Sequence, residues 1–87
     1  MDREKKKEII TQFRLKESDS GSVEVQVALL TERINRLTEH LKLYPHDRHS
    51  RHSLHGVIGK RRRFLGYLNR TAPERYHSLI TRLGLRE

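Results

Sequence analysis

The chain has 87 residues and 33% of them are hydrophobic, which is enough for one small domain but not for a second core. The mean hydropathy of −0.86 leaves little apolar surface to bury. No cysteine is present, which excludes disulfides, thiolate metal ligands and a cysteine nucleophile. No apolar run approaches the roughly 18 residues of a membrane span, and we expect a soluble intracellular protein without a secretion signal.

The formal net charge of +8 is concentrated in the second half of the chain. Residues 1–43 carry nine basic and eight acidic side chains, whereas residues 44–87 carry ten basic and three acidic ones. Nine of those ten cations are arginines, whose planar guanidinium groups suit phosphate oxygens and base edges. The charge predicts a polyanionic partner, although an anionic membrane surface or an acidic protein would also accept it.

The apolar residues recur at the spacing of amphipathic helices, and the pattern predicts four of them. The first helix is the weakest, because Ile9, Ile10 and Phe13 are its only strong apolar residues. A polar, turn-favouring connector over residues 16–22 follows it. We therefore expect residues 1–16 to form an N-terminal helix that is mobile until a partner binds.

The second helix has a longer apolar stripe, formed by Val27, Leu30, Ile34, Leu37 and Leu41. Ser22 stands where its N-cap is expected, and Glu24 lies in the first turn, where the helix dipole favours an anion. Pro45 ends this helix by restricting the residue before it. Because the link over residues 44–48 is short, the second and third helices should form an antiparallel hairpin.

The third helix is predicted over about residues 49–70. Its apolar stripe consists of Leu54, Val57, Ile58, Phe64, Leu65 and Leu68. Either Asp47 or Ser50 is expected to cap its N-terminus. Arg61 falls close to the apolar stripe on a helical wheel, so we expect its side chain to extend outward or to pair with an acidic residue of a neighbouring helix.

A capping box of Thr71 and Glu74, with Pro73 in the first turn, predicts the start of the last helix, and Gly84 predicts its end. The inward face of this helix consists of Tyr76, Leu79, Ile80 and Leu83. No useful length alternates with the period of a strand. The prediction is therefore an all-α single domain, in which the long hairpin and the short C-terminal helix pack as a three-helix body over residues 22–87.

One face of the third helix, opposite its apolar stripe, carries the candidate functional residues. They are Lys60, Arg63, Tyr67 and Arg70. A tyrosine among cations offers a plane for stacking and donors for phosphates, as an RNA-binding face requires. The alternative interpretation is that Tyr67 covers the helix flank and the cations are merely hydrated.

Two other clusters contain residue types that carry chemistry in other proteins. Histidines recur every third residue at His46, His49, His52 and His55, but a step of three drifts about 60° around a helix, so the four cannot converge on one metal ion. Asp47, His49 and Ser50 are the residue types of a hydrolase triad, but no nucleophile elbow or phosphate-binding loop accompanies them. We expect no metal, no cofactor and no enzymatic activity.

Several stretches are specific enough to identify a family. They are DSGSVEVQVALLT at 19–31, LTEHL at 37–41, DRHSR at 47–51, GKRRR at 59–63 and ERY at 74–76. With these motifs the chain resembles, from Asp19 onward, the family of the fifteenth protein of the small ribosomal subunit. The resemblance implies a four-helix fold with a mobile first helix, and a structural RNA-binding protein of the cytoplasmic ribosome or of an organellar one.

The resemblance also implies the contacts. Members of the family bind the central domain of small-subunit ribosomal RNA at a three-way junction, and the matching positions here are Ser20, Gly21, Gln26, Tyr67 and Arg70. A second contact, with a nearby helix carrying a G–U/G–C element, matches His40, Asp47 and Ser50. The implied partners also include neighbouring small-subunit proteins and large-subunit RNA at an intersubunit bridge, with no membrane contact and a monomeric free protein.

The chain departs from the family pattern at a few places. Tyr44-Pro45-His46 replaces the common His-Lys-Lys, His52-Ser53 replaces the usual Arg-Gly, and Ser20 replaces the usual threonine. The usual acidic residue before Pro73 is Ala72, so we expect Thr71 to take over the cap. The alternative function is a basic helical adaptor that binds an acidic protein surface and shows no preference for a junction RNA over a duplex.

Overall fold

The computed structural model describes residues 3–13 and 22–85. In these residues the chain forms four helices: α1 (Arg3–Phe13), α2 (Val23–Leu43), α3 (Arg48–Thr71) and α4 (Pro73–Leu83). The described parts contain no strand, and the all-α prediction is confirmed. None of the described helices combines the length and the hydrophobicity that crossing a membrane requires.

Local hydrogen bonds at the helix ends confirm most of the predicted boundaries. The Ser22 side chain accepts from the Val25 backbone N–H at 3.3 Å and caps α2. Asp47, and not Ser50, caps α3, because its carboxylate accepts from the Ser50 backbone N–H at 3.0 Å. Gly84 ends α4 with a φ of 67°, a left-handed conformation that glycine adopts without strain.

The predicted capping box at the start of α4 is wrong. Helix α3 continues through Thr71, whose hydroxyl donates to the Tyr67 carbonyl at 2.9 Å. Ala72 alone separates the two helices and forms no side-chain cap. A threonine whose backbone is already helical bonds back to the carbonyl four residues earlier, so it cannot cap the next helix. The start of α4 instead relies on Pro73, whose fixed φ suits a first helical turn.

The hydrophobic core lies along the antiparallel α2–α3 hairpin, with α1 packed on α2 and α4 packed on α3. One cluster joins all four helices; its buried members are Ile9, Phe13, Val25, Val27, Ala28, Leu68 and Leu79. A second cluster lies between the two long helices and consists of Leu30, Ile34 and Val57. Both apolar stripes therefore face each other as the spacing predicts.

Arg61 crosses the interface between the two long helices. Its Nη1 donates to the Thr31 hydroxyl at 3.2 Å, and that hydroxyl donates in turn to the Val27 carbonyl at 2.8 Å. Burial lowers the pKa of the Arg61 guanidinium from its usual value. The partner on the neighbouring helix is thus a hydroxyl and not an acidic residue, the second of the two arrangements that we expected, because α2 presents Thr31 at this level of the hairpin.

Helix α1 is held to the core by few contacts. Ile9 and Phe13 are buried, while residues 3–8 are exposed. From α4, the Arg82 guanidinium lies 4.3 Å from the centroid of the Phe13 ring and donates to the Gln12 carbonyl at 2.7 Å. The mobility of this helix, and the division of the chain into residues 1–16 and a body over 22–87, stay predictions.

Amide exchange tests that mobility directly. We expect the amides of residues 3–13 to exchange far faster than those of residues 25–41, because two buried apolar side chains stabilise α1 weakly. Arg82→Ala should accelerate exchange in α1 further and leave residues 25–41 unchanged. Equal protection of both segments in the unsubstituted protein would contradict the prediction.

Candidate nucleic-acid interface

The face of α3 opposite the core carries a tyrosine among cations. Lys60, Arg63, Tyr67 and Arg70 are all exposed, and Tyr67 keeps 50% of its surface accessible. Leu68, the next residue after Tyr67, is 1% exposed and anchors the helix in the core. The helical period therefore directs this face outward whenever the apolar stripe is buried.

A shallow cavity of ≈420 Å³ adjoins this face, and the start of α2 forms part of its wall. It is lined by Val23, Lys60, Arg63, Phe64 and Tyr67. Val23 and Phe64 supply apolar surface, and Lys60 and Arg63 supply the positive charge. The sequence did not indicate that Val23 and Phe64 belong to this site, because the cavity forms only when α2 and α3 pack together.

The positions predicted to accompany Tyr67 lie close to this cavity along the chain. Gln26 is half-buried and lies three residues after Val23, on the same side of α2. Ser20 and Gly21 lie outside the described residues. The structure thus brings the beginning of α2 beside Tyr67.

The side chains of Arg63 and Arg70 extend toward the N-terminus of α3, and each guanidinium lies beside a glycine one turn earlier. A Cβ placed on Gly59 would be 3.7 Å from Arg63 Nη1. A Cβ placed on Gly66 would likewise be 3.9 Å from Arg70 Nη1. Because the two arginines are seven residues apart, their attachment points are separated by about two helical turns, or about 10 Å. The two guanidinium groups therefore lie close to the helix surface, one beside Gly59 and the other beside Gly66, the residue before Tyr67.

The loop end of the hairpin brings together three residues that the resemblance singles out. His40 Nε2 lies 2.8 Å from Asp47 Oδ2, and the Ser50 hydroxyl donates to the same oxygen at 2.8 Å. A carboxylate oxygen can only accept, so Nε2 is the donor, and Nδ1 is the other hydrogen-bonding atom of the ring. The three side chains therefore form one polar cluster across the end of the α2–α3 hairpin.

The hydrogen bonds of this cluster also stabilise the charged form of Asp47. The Ser50 backbone N–H, and after it His40 and the Ser50 hydroxyl, hold the pKa of the carboxyl well below its usual value of 3.8. A depressed pKa in the folded state means that the carboxylate contributes stability above pH 4, and that this contribution is lost as the pH falls through the lowered pKa. The cap is therefore intact at neutral pH.

The tyrosine face and the polar cluster lie near opposite ends of α3. Ser50 and Tyr67 are 17 residues apart in sequence, which corresponds to about 25 Å along a helix. A polyanion that touches both must present two sites at this separation.

An ion pair with a buried carboxylate, which the sequence did not indicate, joins the start of α2 to α4. Glu24 is only 5% exposed, and both of its carboxylate oxygens accept from the Arg75 guanidinium of α4, one of them from Nε at 2.6 Å. The two residues are 51 positions apart. Sequence reasoning assigned Glu24 to the helix dipole alone, because no local pattern pairs residues so distant.

Comparison with known proteins identifies the family. The model of the family described as Ribosomal protein S15 matches residues 6–86. Three similar relatives, each named small ribosomal subunit protein uS15, cover nearly the whole chain. The one from Thermotoga petrophila is 55% identical over 100% of this chain and 97% of its own length. The relative from Dictyoglomus thermophilum is 60% identical over 98% of this chain and 96% of its own length. The relative from Mycobacterium sp. (strain KMS) is 60% identical over 95% of this chain and 93% of its own length. The chain belongs to the Ribosomal protein S15 family.

Membership settles the broad function. The chain is a structural constituent of the small ribosomal subunit, it is located in the cytoplasmic ribosome as predicted, and it associates there with ribosomal RNA and other proteins. The family is one of RNA-binding structural proteins, which confirms the predicted absence of enzymatic activity. Among the described residues, no group of three or more histidine, aspartate or glutamate side chains is placed to hold a metal ion.

Proposed function

We propose that the chain binds the central domain of small-subunit ribosomal RNA at a three-way junction and at a nearby helix with a G–U/G–C element. The observation that carries the proposal is the cavity in which Tyr67, Lys60 and Arg63 meet the start of α2. A junction exposes unstacked bases and closely spaced phosphates, and this site offers both an aromatic plane and cations.

At the junction, each group has a distinct task. Tyr67 stacks on a base or ribose, and the cations Lys60, Arg63 and Arg70 bind the backbone phosphates that converge there. The start of α2 contributes backbone N–H groups that suit a phosphate. Gln26, with Ser20 and Gly21 before the helix, supplies short polar groups that approach the RNA closely.

At the other end of α3, the polar cluster reads a paired helix. His40, Asp47 and Ser50 offer a ring nitrogen, carboxylate oxygens and a hydroxyl, which suit base edges and 2′-hydroxyls in a wide, shallow minor groove. Because both contacts lie on one rigid helical hairpin, their separation of about 25 Å selects RNAs in which a junction and a helix element are correctly spaced.

Binding of this kind would fix the geometry of the RNA junction. The protein would thereby promote assembly of the small subunit with neighbouring proteins and contribute to a bridge to large-subunit RNA. We expect the free protein to be a monomer, and the predicted mobility of α1 leaves that helix able to reposition when RNA binds.

A binding titration tests the proposal. We expect tighter binding to a junction RNA carrying the G–U/G–C element than to a linear duplex of equal length at every salt concentration. Counterion release weakens both complexes as salt rises, but it does not remove a preference that depends on shape. Equal affinities for the two RNAs would contradict the proposal and favour the basic adaptor.

The Ser50→Ala variant separates binding from capping at the hairpin end. Asp47 caps α3 through the Ser50 backbone N–H, which alanine keeps, so the free energy of unfolding should fall by only about 0.5–1.5 kcal/mol for the lost hydroxyl hydrogen bond. Affinity for RNA with the G–U/G–C element should fall, while affinity for RNA without it and the salt dependence stay unchanged.

The matched control is Ser78→Ala, which removes an exposed hydroxyl from α4, away from the hairpin end. It should bind both RNAs as the unsubstituted protein does. If Ser50→Ala also binds both RNAs normally, Ser50 does not contact the element.

A further inference from the structure

The loop end of the hairpin exposes apolar surface that the proposed contacts do not use. Among the described residues, the exposed large hydrophobic side chains are Leu43 at 76%, Tyr44 at 59% and Tyr67 at 50%. Tyr67 belongs to the junction site, whereas the other two are adjacent at the end of α2. A shallow cavity of ≈470 Å³ at this end is lined by His40, Leu43, Tyr44, Pro45, His46 and Asp47.

One ring contact and two backbone hydrogen bonds position Tyr44. The His40 ring packs against it with 4.9 Å between centroids and a tilt of 36°, and His40 is itself held by Asp47. The Tyr44 backbone N–H donates to the His40 carbonyl at 2.9 Å, and its carbonyl accepts from the Asp47 N–H at 3.1 Å. The aromatic plane is therefore presented to solvent in a defined orientation, which reduces the entropy lost on binding.

The charges around this end favour an anionic partner. Arg48 and Arg51 lie in the first turn of α3 and are exposed, and the Arg51 guanidinium also donates to the Pro45 carbonyl. Of the nearby acidic groups, Asp47 is engaged in the helix cap and Glu39 pairs with Lys42 at 3.0 Å. An apolar plane beside exposed arginines suits a nucleotide, whose base stacks while its phosphate binds a cation.

We propose that Tyr44 is a stacking platform for an unpaired RNA base, with the exposed arginines at the start of α3, Arg48 and Arg51, as the cations for the adjoining phosphate. The inference rests on the proposed function, because it requires the hairpin end to face RNA. It adds a contact of a different kind from that of His40, Asp47 and Ser50. Those groups hydrogen-bond to a paired helix, whereas a base inside a duplex has no free face to place on Tyr44.

The probe is a set of RNA stems that carry the G–U/G–C element and one bulged 2-aminopurine, placed one, two or three base pairs from the element. A fully paired stem of the same length is the reference. We expect one of the bulged stems to bind about tenfold more tightly than the paired stem, with quenching of the 2-aminopurine fluorescence on stacking. This preference corresponds to about 1.4 kcal/mol.

Variants of Tyr44 identify the platform. Tyr44→Ala should abolish both the preference and the quenching, Tyr44→Phe should keep them, and Tyr44→Leu should lose them because it is apolar without an aromatic plane. Leu43→Ala, a change at the more exposed neighbour, is the matched control and should retain the preference. Circular dichroism checks that each variant is folded, which the exposure of both side chains favours.

The outcomes separate this inference from the proposed function. If none of the bulged stems is preferred, or if Tyr44→Ala keeps the preference, the platform is overturned. In that case the proposed function stands as long as the unsubstituted protein still prefers junction RNA to a duplex. If it shows no such preference, the proposed function itself fails. Loss of the preference in Leu43→Ala as strongly as in Tyr44→Ala would indicate a general apolar contact and would also overturn the platform.

Discussion

Arg75→Ala is expected to lower the free energy of unfolding by about 3 kcal/mol, since it leaves the buried Glu24 carboxylate without its ion-pair partner. Glu24 is 5% exposed, and both of its carboxylate oxygens accept from the Arg75 guanidinium, so the carboxylate loses both of these hydrogen bonds when Arg75 is truncated. This value is the lower end of the range of about 3–5 kcal/mol that is typical for breaking a buried ion pair, because the Arg75 side chain is itself 47% exposed. Denaturation by urea, followed by circular dichroism, measures the change.

The two partners should not be equivalent. Glu24→Ala should cost less than Arg75→Ala, because the Arg75 side chain is 47% exposed and remains accessible to water when Glu24 is removed, whereas the Glu24 side chain is only 6% exposed. Arg36→Ala is the matched control. It removes an arginine from an exposed pair with Glu32 within α2, at 3.6 Å, and should change stability by less than about 0.5 kcal/mol. Equal losses for Arg75→Ala and Arg36→Ala would show that the buried pair does not anchor α2.

Tyr67→Ala is expected to weaken binding of junction RNA by about 1–3 kcal/mol, or about 5- to 150-fold, and to change binding of a linear duplex little. The physical reason is that stacking is lost only where the RNA presents an unstacked base. The fold should remain intact, because half of the Tyr67 surface is exposed and the neighbouring Leu68 supplies the core contact. Tyr67→Phe should retain most of the affinity.

Arginine variants distinguish a site from a general attraction. Arg70→Ala and Arg62→Ala each remove one positive charge from α3, but Arg70 belongs to the tyrosine face and Arg62 lines a different groove, beside α4. We expect Arg70→Ala to weaken junction binding more and to reduce the salt slope by about one. The same loss from both variants, on both RNAs, would mean that net charge and not this face directs the binding.

Much of the fold could be predicted from the sequence because its determinants are local. The spacing of Val27, Leu30 and Ile34 predicts which side of α2 is buried, and the caps at Ser22 and Asp47 act over three residues. The outward direction of Tyr67 follows from the position of Leu68 on the same helix. These features depend on the helical period and on hydrogen bonds between near neighbours, and both follow from short stretches of sequence.

The sequence predicted the wrong hydrogen-bond partners for two residues that lie where helices meet. Thr71 stands where a capping box predicts an N-cap, but its backbone belongs to the last turn of α3. Its hydroxyl therefore donates to the Tyr67 carbonyl instead of capping α4. Arg61 bonds to the Thr31 hydroxyl, whereas an outward side chain or an acidic partner was expected. In both cases the alternative partner became available only through a neighbouring turn or a neighbouring helix.

The sequence by itself determined the four-helix architecture, the positive charge and the family, because helix period, caps and family motifs are properties of short segments. Only the tertiary structure decided that Glu24 pairs with Arg75 and that Val23 joins Tyr67 in one cavity. It also showed that His40 reaches Asp47 across the loop of the hairpin. These contacts join residues on different helices or across a loop, and their geometry depends on how the helices pack, which no local pattern specifies.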